Sequence, residues 1–578
     1  MEGAEKNCRN DIVDMSAKSK RNVFIILTVV LLGVLTCAGI LINRNGEATG
    51  DIRVYWGDSD KLGVVPYGTD GESEETSGAL CFFLPFPAEK DVYRIDFPKD
   101  DRVYIDSDEY SSGDTLLPYV SGEKHRLEII RKWRTESRDV VFYYADDIPV
   151  VSVDMEDGAF EKMSADSMHL SKKNSTISIV DPKTHLNTSE YCFIGGHGGS
   201  SWDCDKKSYE ISLLRPISFL GMKAAEKWTL ISNGMDYSNL KNRVVHEAAS
   251  QVGMEYRTDC EYVNLYVNGS YQGLYLLTGR ISGNGGVVDF DHDLDVENRM
   301  LNSDVITDSS LPDPVIVDEG TLSEEKYYDL KYEPADITGD YLMEFVQYGI
   351  PQAYNPDSTW FLTDRMMVKM KSPKIASEGE LHYAEDYVRK SEDAVFGKGD
   401  YRDVIDTDSW AMVYLFMDFF GYQDDSAGSL YFYKKRNDPL LYCGPIWDYD
   451  KSMTDNFYDE EPFPYYGRAF FDVVYGENDR YQLWHARLNE YPEFHERVME
   501  HYRDKLKPVM DTILDEKVPE WINETASSVR MDEVRWSRGE GFEAGRAREV
   551  ETWLHQRKEL FDQVWIRGEE SPYAENIY

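Results

Sequence analysis

Residues Val23 to Ile42 (VFIILTVVLLGVLTCAGILI) run for 20 positions without a charged side chain. A water-soluble domain cannot leave such a segment exposed. As a helix rising 1.5 Å per residue it is long enough to cross a bilayer core of about 30 Å. A cleaved leader is the rival reading, but its apolar region spans only about 7–15 residues and ends at a small-residue site. Here the run is longer, and Asn43-Arg44-Asn45 follows it. The sequence therefore predicts a retained anchor. Lys6, Arg9, Lys18, Lys20 and Arg21 precede it, whereas Arg44 and Arg53 are the basic residues soon after it. Basic residues favour the cytoplasmic side, which assigns residues 1–22 to a cytoplasmic tail and 23–42 to a transmembrane helix. Everything after the helix is then on the outer face of the cell membrane, in a single-pass arrangement.

The 578 residues leave room for more than one hydrophobic core. Against 62 basic residues stand 106 acidic ones, a formal net charge of −44. Nucleic-acid binding through the phosphate backbone needs clustered Lys and Arg, so that partner class is excluded. The balance suits a water-facing protein that handles cations or basic partners. Of seven cysteines, Cys8 and Cys37 lie in the tail and anchor, and Cys81, Cys192, Cys204, Cys260 and Cys443 form no CxxC pair. That is a poor disulfide framework, with Cys192 and Cys204 the one candidate pair close in sequence.

From about Ile52 to Tyr144, short β-type runs (IRVYW, ALCFFLPF, DVYRIDF, RLEIIRKW, DVVFYY) recur at roughly ten-residue intervals between turn residues. They predict a small antiparallel sandwich over 52–146 without catalytic character, suited to a spacer or a binding module. A second domain, 147–578, starts at the strand-like Asp147–Val153. In it, Ile194 to Trp202 (IGGHGGSSW) is rich in glycine, which lets a backbone approach a ligand closely or simply turn between strands. Alternation in Lys206–Leu213 puts Lys207, Tyr209 and Ile211 on one face, or Lys206 in the place of Lys207 if the register slips by one. A lysine facing inward needs an anionic partner. Lys227–Ser232 reads as a strand, followed by a helix capped by Asp236 or Ser238 with Leu240, Val244, Val245, Ala248 and Val252 as its apolar stripe. Glu247 lies beside that stripe, either turned inward to pair with a strand lysine or on the surface. Tyr262 to Leu277, with Asn268-Gly269 between its halves, is a hairpin. Residues 281–334 read as an acidic insertion, and helices are predicted at Gly339–Tyr348, His382–Phe396 and Asp406–Phe420. Amphipathic helices from about Tyr491 onward would form a helical wall.

The segment Asp424 to Asp450 (DDSAGSLYFYKKRNDPLLYCGPIWDYD) places acids on both sides of the short aromatic strand Leu430–Lys434. Carboxylates so placed can converge on one divalent cation, or one can act as a base. They can equally cap turns in water.

Several of these motifs, in this order, resemble the CotH kinase family. Gly195–Trp202 (GGHGGSSW) is similar to a family loop of the RGRGNSTW kind, and Lys206-Lys207-Ser208-Tyr209 to its KKPY-like element. Trp228–Asn242 resembles WxLxxNxxDxSxLRN with Lys241 at the Arg, Val267–Gly279 resembles VNGxYxGxYxLxE, and the close of Asp424–Asp450 resembles GPxWDxD. Gly195, His197, Gly199 and Gly279 stand where the family commonly has Arg, Arg, Asn and Glu. The resemblance implies an α+β fold, an atypical protein-kinase-like two-lobed domain with ATP and Mg²⁺ or Mn²⁺ between a β-rich and a helical lobe. It implies Gly198 and Ser200 near the phosphates, Lys207 on them with Glu247 as its partner, and Asp424 as catalytic base. Ser429, five residues after Asp424, would be a metal ligand with Asp448 and Asp450. The implied activity is phosphorylation of Ser or Thr on an exported or surface protein. The other class is an inactive kinase-like scaffold or binding protein of the cell envelope or spore coat.

Overall fold

The computed structural model describes residues 51–57, 62–68, 78–88, 92–168, 171–184, 186–283, 285–307, 310–318, 323–346, 358–423, 428–454, 484–536 and 545–570. The tail, the anchor segment 23–42 and Asp424 lie outside the described residues. Among the described residues, no helix is long and apolar enough to cross a membrane.

The N-terminal region is built of short strands in two sheets. β1 (Arg53–Trp56) is flanked by β2 (Gly63–Val64) and β5 (Tyr93–Asp96). The second sheet has the order β3 (Tyr67–Gly68), β4 (Leu80–Leu84), β9 (Arg134–Tyr144), β8 (Lys124–Arg131), β6 (Arg102–Ile105) and β7 (Asp108–Tyr110). Contrary to the all-antiparallel expectation, β4 runs parallel to β9. LCFFL is buried at every position, so β4 carries no in–out alternation to mark it as an edge or a face. Val54, Phe82, Val103, Ile129 and Val141 share a core with Val150, Tyr266, Tyr271 and Met531 of the following region. The two regions are therefore joined by apolar contact, and Tyr266 donates a hydrogen bond to the Phe83 carbonyl at 2.9 Å.

Seven strands then close into a barrel: β10 (Val150–Met155), β11 (Lys172–Asp181), β12 (Leu186–His197), β13 (Ser208–Ile217), β14 (Ala225–Ile231), β16 (Ser270–Gly279) and β15 (Cys260–Val267), with β15 returning in parallel to β10. Alternation fills the interior with Val151, Ile177, Ile194, Ile211, Trp228, Leu230 and Leu265. The β15–β16 hairpin turns at Asn268-Gly269, both at positive φ (49° and 80°), as a two-residue turn of this sequence requires. Helix α1 (Lys241–Gln251) leaves the barrel toward the second lobe. Asp236 accepts from the backbone N–H of Ser238 and of Lys241 at its start.

The second lobe centres on an antiparallel sheet: β17 (Pro314–Asp318), β18 (Ser323–Tyr328), β20 (Trp360–Leu362), β21 (Met367–Ser372), β19 (Tyr341–Val346), β22 (Leu430–Lys434) and β23 (Leu441–Cys443). The 281–334 stretch thus contributes two strands to the sheet, and between the lobes a short helix, α2 (Leu294–Leu301). Tyr341–Val346, expected to be helical, is a central strand between β21 and β22. Its six residues are all buried, Glu344 included, and a run buried on both faces carries no period that separates a strand from a core helix. Helices α3 (Glu378–Asp393) and α4 (Thr407–Phe419) lie where they were expected. Ser377 and Glu380 form a capping box on the first, and Asp406 caps the second. A helical run from Pro492 to Glu524 follows, with wide turns at Tyr502–Leu506 and Ile513–Lys517 just before Pro508 and Pro519, whose missing N–H groups break the regular ladder. Then come α5 (Ala526–Trp536), which packs back on β16, and α6 (Gly545–Phe561). Among the described residues no disulfide forms, so Cys192 and Cys204 are not bridged to each other.

Candidate active site

The acidic hairpin lies between the lobes. Ser429 precedes β22 and Asp448 follows β23, so the two strands bring them together. The Ser429 hydroxyl donates to an Asp448 carboxylate oxygen at 3.1 Å. Both residues hold positive φ, 61° and 71°, a conformation that side chains rarely adopt outside special sites. Burial and then the adjacent Asp450 carboxylate push the Asp448 carboxyl well above the usual carboxylate range, and the Ser429 hydroxyl opposes them. Asp448, Asp450 and Ser429 thus form one oxygen cluster. Helix α1 holds its backbone, since Tyr449 N–H donates to Asn242 Oδ1 at 3.0 Å and Lys241 Nζ donates to the Asp450 carbonyl at 3.0 Å. The end of β12 approaches from the barrel, where His197 meets Trp447 edge-on with ring centroids 6.2 Å apart.

Other predicted residues behave differently. Gly195 to His197 are the last residues of β12, paired with Glu210 to Ser208 of β13, and only Gly198 and Gly199 form the turn. At Gly198, φ is +97° and a Cβ would fall 2.0 Å from Ser201 Oγ, so this position requires glycine. Ser200 begins the short helical turn Ser200–Asp203. Lys207 Nζ donates to the carbonyls of Trp202 and Cys204, and lies over the Trp202 ring. Glu247 accepts from Gln251 at 2.8 Å. Lys207 and Glu247 are therefore each held by other groups and are not paired. The inward lysine is Lys206, which is 1% exposed and pairs at 2.7 Å with the equally buried Asp532 of α5.

The sequence reading missed a cluster of cations in the same cleft. Glu210 on β13 pairs with Lys172 on β11 at 2.6 Å and with Arg280 just after β16. Glu344 on β19 pairs with Lys371 on β21 at 3.2 Å and accepts from the Ser429 backbone N–H at 3.1 Å, which ties this cluster to Asp448. Lys227, Lys369 and Lys374 complete it. Burial and then Lys371 and Arg280, against the attraction of Glu344, push Lys369 down to about 7. Burial, Arg280, Lys371 and Lys227 do the same to Lys374. Lys227 is lowered by burial and Arg280, with Asp295 and Asp293 opposing. For the two glutamates burial acts upward, but the cations outweigh it. Arg280 and Lys172 hold Glu210 at about 2, and Lys371 and Lys369 hold Glu344 below the usual range. Six basic side chains therefore share two contacting carboxylates, and among the described residues Lys227, Lys369 and Lys374 form no ion pair. In a chain of net charge −44 such a group of basic residues suits an anionic ligand. The signal was present in Met367–Ser372 (MVKMKS), where lysines alternate with apolar residues on one strand.

Hard oxygen donors facing a cationic cleft suit a divalent cation carrying phosphate oxygens. Residues 194–561, nearly two thirds of the chain, match the family model described as CotH kinase protein. No curated protein matches the chain. The span of that match takes in the glycine turn, the later strands of the barrel, the second lobe and the acidic hairpin: the chain belongs to the CotH kinase protein family.

Proposed function

We propose that the protein is a membrane-anchored protein kinase that transfers the γ-phosphate of ATP to Ser or Thr of an exported or surface protein. Membership of a kinase-like family suggests nucleotide and divalent-metal use. The observation that carries the reading to this chain is the uncompensated cation cluster beside the Asp448–Asp450–Ser429 oxygens.

Asp448, Asp450 and Ser429 would hold Mg²⁺ or Mn²⁺, which when bound neutralises phosphate charge and polarises the bridging oxygen. Arg280, Lys227, Lys369, Lys371 and Lys374 would orient the phosphates and offset their charge. Glu210 and Glu344 fix the directions of Lys172, Arg280 and Lys371. The Gly198 turn leaves room for close backbone approach. Lys207 retains the phosphate-contacting role the family implies only if it leaves the Trp202 and Cys204 carbonyls. Asp424 is proposed as the base that accepts the acceptor hydroxyl proton. A cavity of about 620 Å³, lined by Tyr237, Lys241, Asp450, Arg548 and Trp553 among others, gives the acceptor chain an approach to Asp450.

The test is metal-dependent γ-phosphate transfer by the full chain to surface proteins of its own cell, beside Asp448→Ala. Loss of about 10²-fold or more in the variant is expected. Equal labelling by both chains, or tight capture of a surface protein that neither nucleotide nor Asp448→Ala alters, would replace this reading by the scaffold.

A further inference from the structure

The β8–β9 hairpin turns at Arg131-Lys132-Trp133-Arg134, and Trp133 at its tip is 90% exposed. It is the most exposed large apolar side chain among the described residues, and an indole, apolar in its ring and polar at its N–H, suits a boundary that is apolar on one side and wet on the other. Its position says which boundary that is. Arg131 reaches Asp51, the first described residue, at 3.4 Å, so the tip stands where the chain emerges from its N-terminal segment. Between Ile42, the end of the apolar run, and Asp51 are nine residue steps, at most about 32 Å of extended chain. From Arg134, β9 then runs 11 residues to Tyr144, about 33 Å at strand rise, before the chain passes into the kinase barrel. The tip and the emerging chain are thus together at one end of β8 and β9, while the β2 edge beside β1 meets the barrel, where Val65 N–H donates to the Gly269 carbonyl at 3.1 Å.

We infer that Trp133 docks in the headgroup layer of the phospholipid bilayer that the protein's own N-terminal segment spans, so that the β8–β9 tip of the β-domain rests on the membrane. Tryptophan favours that layer because its ring is apolar and its N–H is polar. Lys132, whose ammonium lies 5.8 Å from the Trp133 ring centroid, can meet lipid phosphates beside it. The arginines add little attraction, because Arg131 pairs with Asp101 at 2.9 Å and with Asp51, and Arg134 with Glu136 at 3.5 Å. The contact is therefore led by the indole and should persist at high salt. The inference does not depend on kinase activity. It does depend on residues 23–42 spanning the bilayer.

The experiment reconstitutes the full chain into vesicles of phosphatidylcholine and phosphatidylglycerol with and without brominated acyl chains, and compares it with Trp133→Ala. The variant should keep its circular dichroism, since the side chain is exposed. The wild-type-minus-variant emission should be blue-shifted, quenched by bromolipid, protected from aqueous iodide and unchanged in 0.5 M salt. Difference emission typical of water, quenched by iodide and not by bromolipid, would overturn the inference. So would a response confined to an added soluble polyanion, which would make the tip a polymer-binding site. Release of the full chain from the vesicles at alkaline pH would overturn it together with the anchor on which it rests.

Discussion

Lys369 and Lys374 carry the most direct chemical consequence of the cleft. Both are pushed down to about 7 by burial and by neighbouring cations, with Glu344 near the first and Glu210 near the second as the opposing charges. Between pH 7 and the ordinary lysine value of about 10.4 the unfolded chain holds more protons than the folded one. The ligand-free protein should therefore gain stability from these groups as pH rises through that window, and lack that gain below 7. A bound polyanion favours their charged forms, so binding near pH 8 should take up protons and weaken as pH rises further. Calorimetry with inorganic triphosphate in buffers of different ionisation enthalpy measures that uptake, and Lys369→Met should reduce it. Gly273 has a structural reason of a different kind. Its φ is +122°, and a Cβ there would meet Asp532 Oδ1 at 2.2 Å and Lys206 Cε at 2.7 Å. Gly273→Ala should cost about 3 kcal/mol or more in urea unfolding, through backbone strain and displacement of a buried ion pair.

That pair belongs to the scale of elements, because it clamps α5 to the barrel. Lys206 Nζ donates to the Leu274 carbonyl at 2.6 Å, and Asp532 accepts from the Leu274 N–H at 3.0 Å as well as pairing with the lysine. Asp532→Ala leaves a buried ammonium without its counter-ion and should cost about 3–5 kcal/mol, whereas Lys206→Met with Asp532→Leu should cost much less. A double-mutant cycle by urea denaturation checks both. Much at this scale was legible in the sequence. Period-two alternation and Asn268-Gly269 gave the β15–β16 hairpin, and Asp406 gave the start of α4, because those signals are local. Tyr341–Val346 was misread because a run buried on all sides has no period to separate strand from helix. The partner of Lys206 could not be read, since Asp532 lies more than 300 positions away and only tertiary packing selects Lys206 over Lys207. The cation cluster escaped for the same reason: Lys172, Lys227, Arg280 and Lys371 come from four different elements. That Asp448, Asp450 and Ser429 come together was legible because one hairpin supplies them all.

For the whole molecule, the shared core makes the β-domain part of the kinase-like body rather than a detachable spacer. Val150, Tyr266, Tyr271 and Met531 are each at most 2% exposed and pack against Phe82, Phe83 and Val141. A chain beginning at Asp147 would leave them open to water at roughly 25 cal/mol per Å² of apolar surface, and should melt at lower temperature or aggregate. Scanning calorimetry of the longer and shorter chains decides this, and an unchanged melting temperature would refute the shared core. The central claim is that the cleft between the lobes binds a nucleoside triphosphate and a divalent metal together. A thermal-shift titration with ATP and Mg²⁺ or Mn²⁺, on the wild type and on Asp448→Asn, addresses it without any knowledge of the acceptor protein. The account predicts that nucleotide and metal together raise the melting temperature more than either alone, and that this joint gain is lost in Asp448→Asn. No shift with the pair, or the same joint gain in both chains, would contradict it.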